Sequence, residues 1–527
     1  MAVASAVILA GAAVAAFPRG RGESGGVADA LVCAAVLCLS WAGAALESRS
    51  STLQGILGRP TAEASTDVVG IVNDDPLTET IGTNAFPRWR FPVAVEWTRN
   101  GSTGEWVRSR GTLNLSLSGW SHPPPRYGDR WTFQGCRIRP ANAVGPSSPP
   151  PGTHVWGKAY GRDALFVSGG NGTPLFELCF RLRRDAAAVL RRGIETHGGA
   201  IGLLNALALG YRTQLPAEVR DDFAATGTIH IIAISGLHVV MIATIVILVL
   251  SAVGVSRIHW VIFLAPLLAG YTVATGMCAS AVRAWVMAVV FFAAPLLRRK
   301  PDSLSALGLA AIVILAVAPS QIFDLGFILS FAAMLGLIVL YPPIHALVDR
   351  RLRDDPFRLQ PEPRPTRLAR QACRYIWSLL AASIAAWLAT TPVIAHAFGR
   401  ISAIGLLGNL IAVPMSFLIL FTAMLSVLFG SLAVLFAEVF NHAALVLIAI
   451  LVRSMHLMAG VPGSHFEVAI PTGWPMVFWY LGLGALALKL TVDKPDADSY
   501  TCSPETDSRR SQAEKNDGDV HEEQRPV

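Results

Sequence analysis

Runs of about twenty consecutive apolar residues constrain this chain more than any other feature. A bilayer's hydrocarbon core, about 30 Å thick, is crossed by about 20 apolar residues in a helix. Inside it every backbone polar group must be satisfied internally, which favours helices. About eleven such runs occur, near residues 1–17, 29–47, 229–254, 257–275, 279–297, 303–318, 322–341, 375–397, 402–429, 431–458 and 473–491. Only 15% of the residues are charged and the mean hydropathy is +0.48, too little charge to dress the surface of a soluble protein of this length. The expected fold is a polytopic α-helical membrane protein of about eleven transmembrane helices, with one substantial polar block ahead of the main bundle.

Lysine and arginine in short loops set the orientation. Arg19 and Arg21 follow the first run, Arg257 the third, and Arg298, Arg299 and Lys300 the fifth; eight arginines occupy 342–374. Counting helices puts all of these on one side, the cytoplasm. Arg400 is the exception on the opposite side, and 459–472 carries no Lys or Arg. The first run lacks the basic start of a signal peptide, which argues for a retained transmembrane hairpin over 1–47. The count leaves 48–228 outside and the tail 492–527 inside. That tail is polar, mixed in charge and aperiodic, the composition of a disordered segment. Residues 183–228 read as interfacial amphipathic helices, with Arg191 and Arg192 on a polar side and Pro216 in the first turn of a helix running to about Ala225. Residues 229–491 form the transmembrane core.

The polar block 48–182 reads as β. The runs DVVGIV, FPVAVEW, GTLNLSL and RWTFQGCRI are β-branched or alternating and separated by Gly, Pro and Asn. Five or so short strands in this length suggest a small barrel of the OB type. Nine arginines fall within 88–139 against Glu96, Glu105 and Asp129, with aromatic residues interleaved. Arginine for phosphates and rings for base stacking is the pattern of a single-strand groove. On this reading Trp89, Arg90, Trp97, Arg108, Arg110, Arg130, Trp131, Arg137 and Arg139 are DNA-binding candidates. The competing reading, which composition alone favours, has the rings filling the barrel and the arginines solvating its outside. Cys136 and Cys179 fall in the external segment, where a disulfide is chemically allowed; the sequence leaves their pairing open.

Two catalytic signals fail on inspection. Gly152 to Lys158 matches most of a phosphate-binding loop, but Ala159 stands where a Ser or Thr must hold magnesium, and a proline run rather than a strand precedes it. The histidines show no HxH or HExxH, so no metal or other cofactor is expected. The informative polar residues lie in the apolar runs, where each is costly and usually faces a pathway or another helix. His230, Ile234 and His238 are spaced as a stripe on one helix, and Ser235 with Gly236 allows a close helix approach or a local break. Gly276, Ser280, Arg283 and Met287 are spaced four, three and four, as on one helix face. Asp324 falls at a similar depth, within reach of Arg283. Asn409 and Pro414 suit a broken helix. Interhelical hydrogen bonding, and for Arg283 snorkelling to the surface, are the structural alternatives.

Together these motifs resemble the ComEC family of competence proteins, the DNA-internalisation channels. TGTIHIIAISGLHV resembles the family's signature; YTVATGMCASAVRAWVMA resembles its Gly…Ser-x-x-Arg-Ala…Met helix. APSQIFDLGFILSF is similar to its Asp-x-Gly-Phe segment, with Ile328 where glutamine is common, and TTPVIAHAFGRISAIGLLGNLIAVP resembles its Asn-Leu…Pro block. Order and spacing agree over about 200–415, and more weakly over 50–180, the family's external OB-like domain. Many members continue into a metallo-β-lactamase-like domain; here residues 492–527 follow the last run, and the expectation is a form lacking that domain and its nuclease activity. The resemblance implies a non-enzymatic channel in the bacterial cytoplasmic membrane. It would pass single-stranded DNA during natural transformation, with a DNA receptor outside and a cytoplasmic helicase or ATPase as partners; a homo-oligomer is left open. It carries His230, Ser235, Gly236, His238, Gly276, Ser280, Arg283, Asp324 and Asn409 as channel candidates. The alternative is a membrane enzyme or transporter acting on a lipid-linked or other anionic substrate.

Overall fold

The computed structural model describes residues 65–79, 88–100, 104–119, 125–140, 155–211, 215–232, 234–296, 302–317, 319–352, 363–402, 404–462, 466–468 and 473–492. The expected hairpin over 1–47, the loop 141–153, the Arg298–Lys300 cluster and the tail beyond 492 lie outside them. The chain divides into two compact units, Met1–Tyr480 and Leu481–Val527; everything that follows concerns the first.

Period-two alternation produces the polar domain. Strands β1 (Ser65–Val72), β3 (Arg88–Asn100), β4 (Val107–Ser118) and β5 (Arg130–Pro140) contain the four β-branched runs, and β6 (Val155–Tyr160) completes a closed barrel in the order β1-β3-β4-β6-β5, with β5 pairing back to β1. The β4–β6 pair is parallel and the other pairs are antiparallel. Two short strands, β2 (Leu77–Glu79) and β7 (Ala164–Ser168), extend β3 and β5. Alternate residues Phe91, Val93 and Val95, Leu113, Leu115 and Leu117, and Trp131 and Phe133 fill the interior. The described part of the segment resembling a phosphate loop, from Val155 onward, lies on strand β6, with Gly157 and Ala159 buried.

Two expectations are corrected here. Trp131 is 5% exposed and stacks on Phe133 at 6.4 Å, so it is a core residue with no face open to a base. Cys136 and Cys179 are both free thiols. Cys136 sits in the barrel core with Sγ 3.6 Å from the Phe133 carbonyl, where burial pushes the thiol up to about 12. Cys179 is buried in the helix that follows the barrel.

That helix, α1 (Pro174–Arg191), leads to α2 (Gly198–Leu209), α3 (Ala217–Ala225), α4 (Ile229–Ile232) and α5 (Gly236–Ala252). Then come α6 (Trp260–Ala274), α7 (Ala279–Ala293), α8 (Ser303–Val317), α9 (Leu325–Val339) and α10 (Tyr341–Leu352). The rest are α11 (Arg364–Phe398), α12 (Gly405–Gly430), α13 (Val434–Ala459) and α14 (Gly473–Val492). Every apolar run from 229 onward falls on a helix. By length and apolarity four spans cross a bilayer, Arg257–Ala274, α11, α12 and α13, or five if the pair α9 and Tyr341–Asp349, bent by 40°, counts as one. The count of eleven is therefore not reached among the described residues. Shorter apolar helices accompany these spans, α5 before the first, and α8 and most of α7 after it.

The largest apolar core joins α2, α5, α12 and α13. Residues Ile201–Ala208 of α2 are all buried, so this helix is not the amphipathic interfacial element expected within 183–228: it is apolar all round and belongs inside. A second contact bears on the orientation count. Arg192 donates to the Gly430 carbonyl at 3.1 Å, and Asn441 Nδ2 donates to the carbonyls of Val189 and Arg192 at 2.9 Å. The alternating count assigns the end of α1 and the α12–α13 turn to opposite faces; the contact puts them at one level, so 183–228 is not a purely external layer.

The barrel is pinned by a buried carboxylate. Asp67 accepts from Arg99 Nη2 at 2.5 Å and Nε at 3.0 Å, and from the Gly135 amide at 2.8 Å, tying β1 to β3 and to the irregular stretch of β5. Asp67→Ala strands these donors and is expected to destabilise the barrel by about 3 kcal/mol. Hydrogen exchange on the full chain checks this: amides of β1, β3 and β5 should lose protection together, and unchanged protection would contradict the assignment.

Candidate functional site

The chain from 229 to 252 is predominantly apolar, yet its helix breaks. Ser235 is extended (φ −111°, ψ 169°), separating α4 from α5. A helix starting inside an apolar bundle leaves its first amides without partners unless something caps them. Here the Ser235 amide donates to His238 Nδ1 at 3.2 Å, and the Ser235 hydroxyl lies 3.1 Å from the same nitrogen. Nδ1 is therefore the acceptor, which in a neutral ring leaves the proton on Nε2. His238 is 1% exposed, whereas His230 is exposed with Nδ1 3.2 Å from the Gly227 carbonyl. The expected stripe of His230, Ile234 and His238 does not form, because the break interrupts the helical repeat.

The start of α7 meets this break. Thr275 to Cys278 form a turn in which Gly276 has φ +81° and Met277 φ +49°. Gly276 thus precedes the helix rather than sharing its face with Ser280, Arg283 and Met287, contrary to the spacing. A methyl group on Gly276 would stand 2.7 Å from Asp74 Oδ2 of the barrel domain, so the position needs glycine both for its backbone and for this close approach. From the second residue of α7, Ser280 Oγ donates to the Ile234 carbonyl at 2.5 Å, satisfying an acceptor that the break left open. The helix begins after Cys278 with no side-chain cap.

A third helix start completes the cluster. Asp324 caps α9, its Oδ2 accepting from the Phe327 amide at 2.8 Å. Arg283 is 2% exposed and donates from Nη2 to the Gly326 carbonyl at 2.7 Å rather than to the Asp324 carboxylate. Its guanidinium carbon lies 5.9 Å from the Phe327 ring, and its Nε and Nη1 are buried without hydrogen-bond partners. The fourth motif packs from the other direction. A methyl group on Gly408 would stand 2.9 Å from Thr228 Cγ2, and Ser402 Oγ donates to the Ala225 carbonyl at 3.1 Å. Asn409, near the start of α12, keeps a buried Oδ1 without a partner.

The four motifs, spread over nearly two hundred residues, are thus in contact in the order 402–408, 225–228, 234–238, 280–284 and 324–327. Each helix start carries roughly half a positive charge from its aligned peptide dipoles. The start of α5 packs on that of α7 through Ser280 and Ala284, and from the same α7 Arg283 reaches the start of α9 with two donors unanswered. Such an arrangement suits an anion, as where half-helix starts face anionic groups in transporters.

The barrel candidates divide. Trp97 is 38% exposed, Arg108 and Arg137 are exposed, and Trp89 and Arg90 are half-buried. Arg130 is paired with Glu96 at 2.9 Å. The side chains of Arg110 and Arg139 lie outside the described set. Trp97 and Arg108 face one another across β3 and β4. Trp106, 39% exposed with Arg99 over its ring at 4.7 Å, adjoins them and is missing from the sequence-based candidates, although it shares the arginine–aromatic pattern.

Sequence reasoning also missed the junction between barrel and helices. Asp75 pairs with Arg184 at 2.5 Å and accepts from the Tyr211 hydroxyl at 3.4 Å; Asp74 lies 3.9 Å from Arg183, which is 2% exposed, donates to the Leu209 carbonyl and stands over the Tyr211 ring at 4.0 Å. Burial pushes the Asp74 carboxyl above its usual range, and Arg183 opposes that shift. Only the adjacent Asp-Asp and Arg-Arg pairs signalled this in the sequence.

The comparisons with known proteins agree with one another. The family model described as "Competence protein" matches residues 207–492. The chain is 27% identical over 294 residues to ComE operon protein 3 of Bacillus subtilis (strain 168); the match covers 56% of this chain and 34% of that protein, so the chain spans about a third of this relative's length. No solved structure matches it.

The buried arginine separates a structural role from a functional one. Arg283→Leu removes a partly unanswered charge from an apolar site and leaves only the Gly326 carbonyl without its donor, a loss of about 1 kcal/mol. Membrane abundance should stay near that of the natural chain, while activity falls about tenfold or more through lost charge-assisted bonding. Parallel loss of abundance and activity in quantitative immunoblots would make Arg283 a packing residue.

Proposed function

The chain belongs to the competence-protein family, and on that premise we propose that it passes single-stranded DNA across the bacterial cytoplasmic membrane during natural transformation. The observation that carries this reading is the buried Arg283, which reaches the start of α9 with two donors unanswered, on a helix whose own start packs against the break before α5. A nucleic-acid strand presents a repeating anion and needs a path on which each phosphate is attracted without being trapped. Helix dipoles and one guanidinium meet that need without a fixed counter-charge directly on the guanidinium.

The barrel supplies capture. Its strand order, with one parallel pair closing the Greek key, is that of the OB type, and in that fold the second and third strands bind single strands. These correspond to β3 and β4, where Trp97, Trp106 and Arg108 cluster. The proposed placement has the barrel outside the cell, the arginine-rich segment 342–374 in the cytoplasm and eleven spans in all. A receptor delivers DNA from outside, and a cytoplasmic helicase or ATPase draws the strand inward. The chain acts as a conduit rather than as an enzyme.

Two measurements test this. Deletion of the gene should abolish transfer of labelled DNA from a nuclease-sensitive to a nuclease-protected state while leaving external binding intact; undiminished transfer would refute the function. Cys373, free and exposed near the start of α11, reports the orientation. In a variant retaining only that cysteine, a membrane-impermeant maleimide should label it after permeabilisation and not before. Labelling of intact spheroplasts would invert the topology.

A further inference from the structure

A cleft of 840 Å³ separates the barrel from α1 and α2. Its size falls in the range of ligand sites, roughly 300–1,000 Å³. Trp89 and Arg126 line it from the barrel, and Arg184, Arg191 and Tyr211 from the helical side. Its charged lining is three arginines (Arg126, Arg184, Arg191) against Asp75 and Glu195, a net charge of 3 − 2 = +1. The acidic groups are already engaged. Asp75 is held by Arg184 and Tyr211, and Glu195 Oε1 accepts from the Gly193 amide at 3.0 Å. Arg126 and Arg191 are both exposed; Arg191 lies near enough to Glu195 to favour its charged form, and neither arginine is within ion-pair distance of a carboxylate among the described residues.

The floor of this cleft adjoins the channel site. Asp75 forms part of its wall, and the neighbouring Asp74 packs on Gly276 at the turn that begins α7. An anion held between Arg126 and Arg191 would stand next to the junction leading to Ser280 and Arg283. We propose that this cleft is a second binding site for the phosphodiester backbone of a single strand, with Arg126 and Arg191 as phosphate contacts and Trp89 as an aromatic wall. It seats the strand between capture on β3–β4 and passage into the helices. This inference rests on the DNA-uptake reading above.

The test uses the full chain in nanodiscs and an oligothymidylate probe, with affinity measured across a salt series. Arg126→Gln with Arg191→Gln should weaken binding, and the slope of log affinity against log salt should fall by about 1.4, two contacts at about 0.7 each for a single strand. A double variant with the same charge change elsewhere, Lys158→Gln with Arg220→Gln, should leave both unchanged. As a check free of substitutions, photocrosslinking of a bromodeoxyuridine oligonucleotide to the natural chain should map to peptides containing residues 184–195. Unchanged affinity and slope in the cleft variant, with crosslinks only on β3–β4, would overturn the cleft and leave the DNA reading standing. Absence of oligonucleotide binding to the natural chain at low salt would overturn both. If the cleft variant loses only its association with phosphatidylglycerol vesicles, the cleft holds a lipid headgroup and the proposal fails.

Discussion

A helix that begins inside an apolar bundle must have its first amides answered, and this requirement organises the core. The start of α5 is answered by Ser235 and His238, and that of α9 by Asp324. The start of α7 has no side-chain cap. Interrupting the helix at Ser235 exposes the Ile234 carbonyl, and Ser280 occupies it, which draws α7 against the break. Arg283 then comes within reach of the Gly326 carbonyl at the start of α9. The same local rule that ends and starts helices therefore joins the starts of α5 and α7 and brings one guanidinium of α7 to the start of α9. An uninterrupted helix from 229 to 252 would have no such start and would hide the Ile234 carbonyl in its own ladder.

The junction between barrel and helices extends that cluster outward. Arg183 is buried, and a buried charge is tolerated only with good partners. It has the Leu209 carbonyl, the Tyr211 ring and the more distant Asp74. Because Asp74 also rests on Gly276, the segment that joins barrel to bundle is the segment that touches the turn before α7.

Much of this was legible in the sequence, for physical reasons that differ by element. The barrel strands declared themselves because one face of each is buried, and burial imposes alternation. The apolar runs located the helices from 229 onward because hydrocarbon thickness sets length. Ser235 and Gly236 marked a place where the helix across 229–252 could break, but spacing alone does not say that it does, so His230 and His238 looked like one stripe. The left-handed backbone at Gly276 has no periodic signature, so its spacing imitated a helix face. Strict alternation would turn Trp97 inward with Phe91, Val93 and Val95; the irregularity between Val95 and Trp97 turns it outward instead, and such a bulge has no signature in the alternating pattern. In α2 the signal was present: a segment apolar on every side belongs in a core, and Arg191 and Arg192 just before it suggested a surface instead.

The central claim is that the strand passes the joined starts of α5, α7 and α9. It is tested most directly by arresting DNA in transit, with a bulky block at its trailing end and a photoactivatable base in the arrested region, and mapping the crosslinks by mass spectrometry. The account expects crosslinks to peptides spanning 234–238, 279–284 and 324–327. Crosslinks confined to other helices, in cells that still transport unblocked DNA, would contradict it.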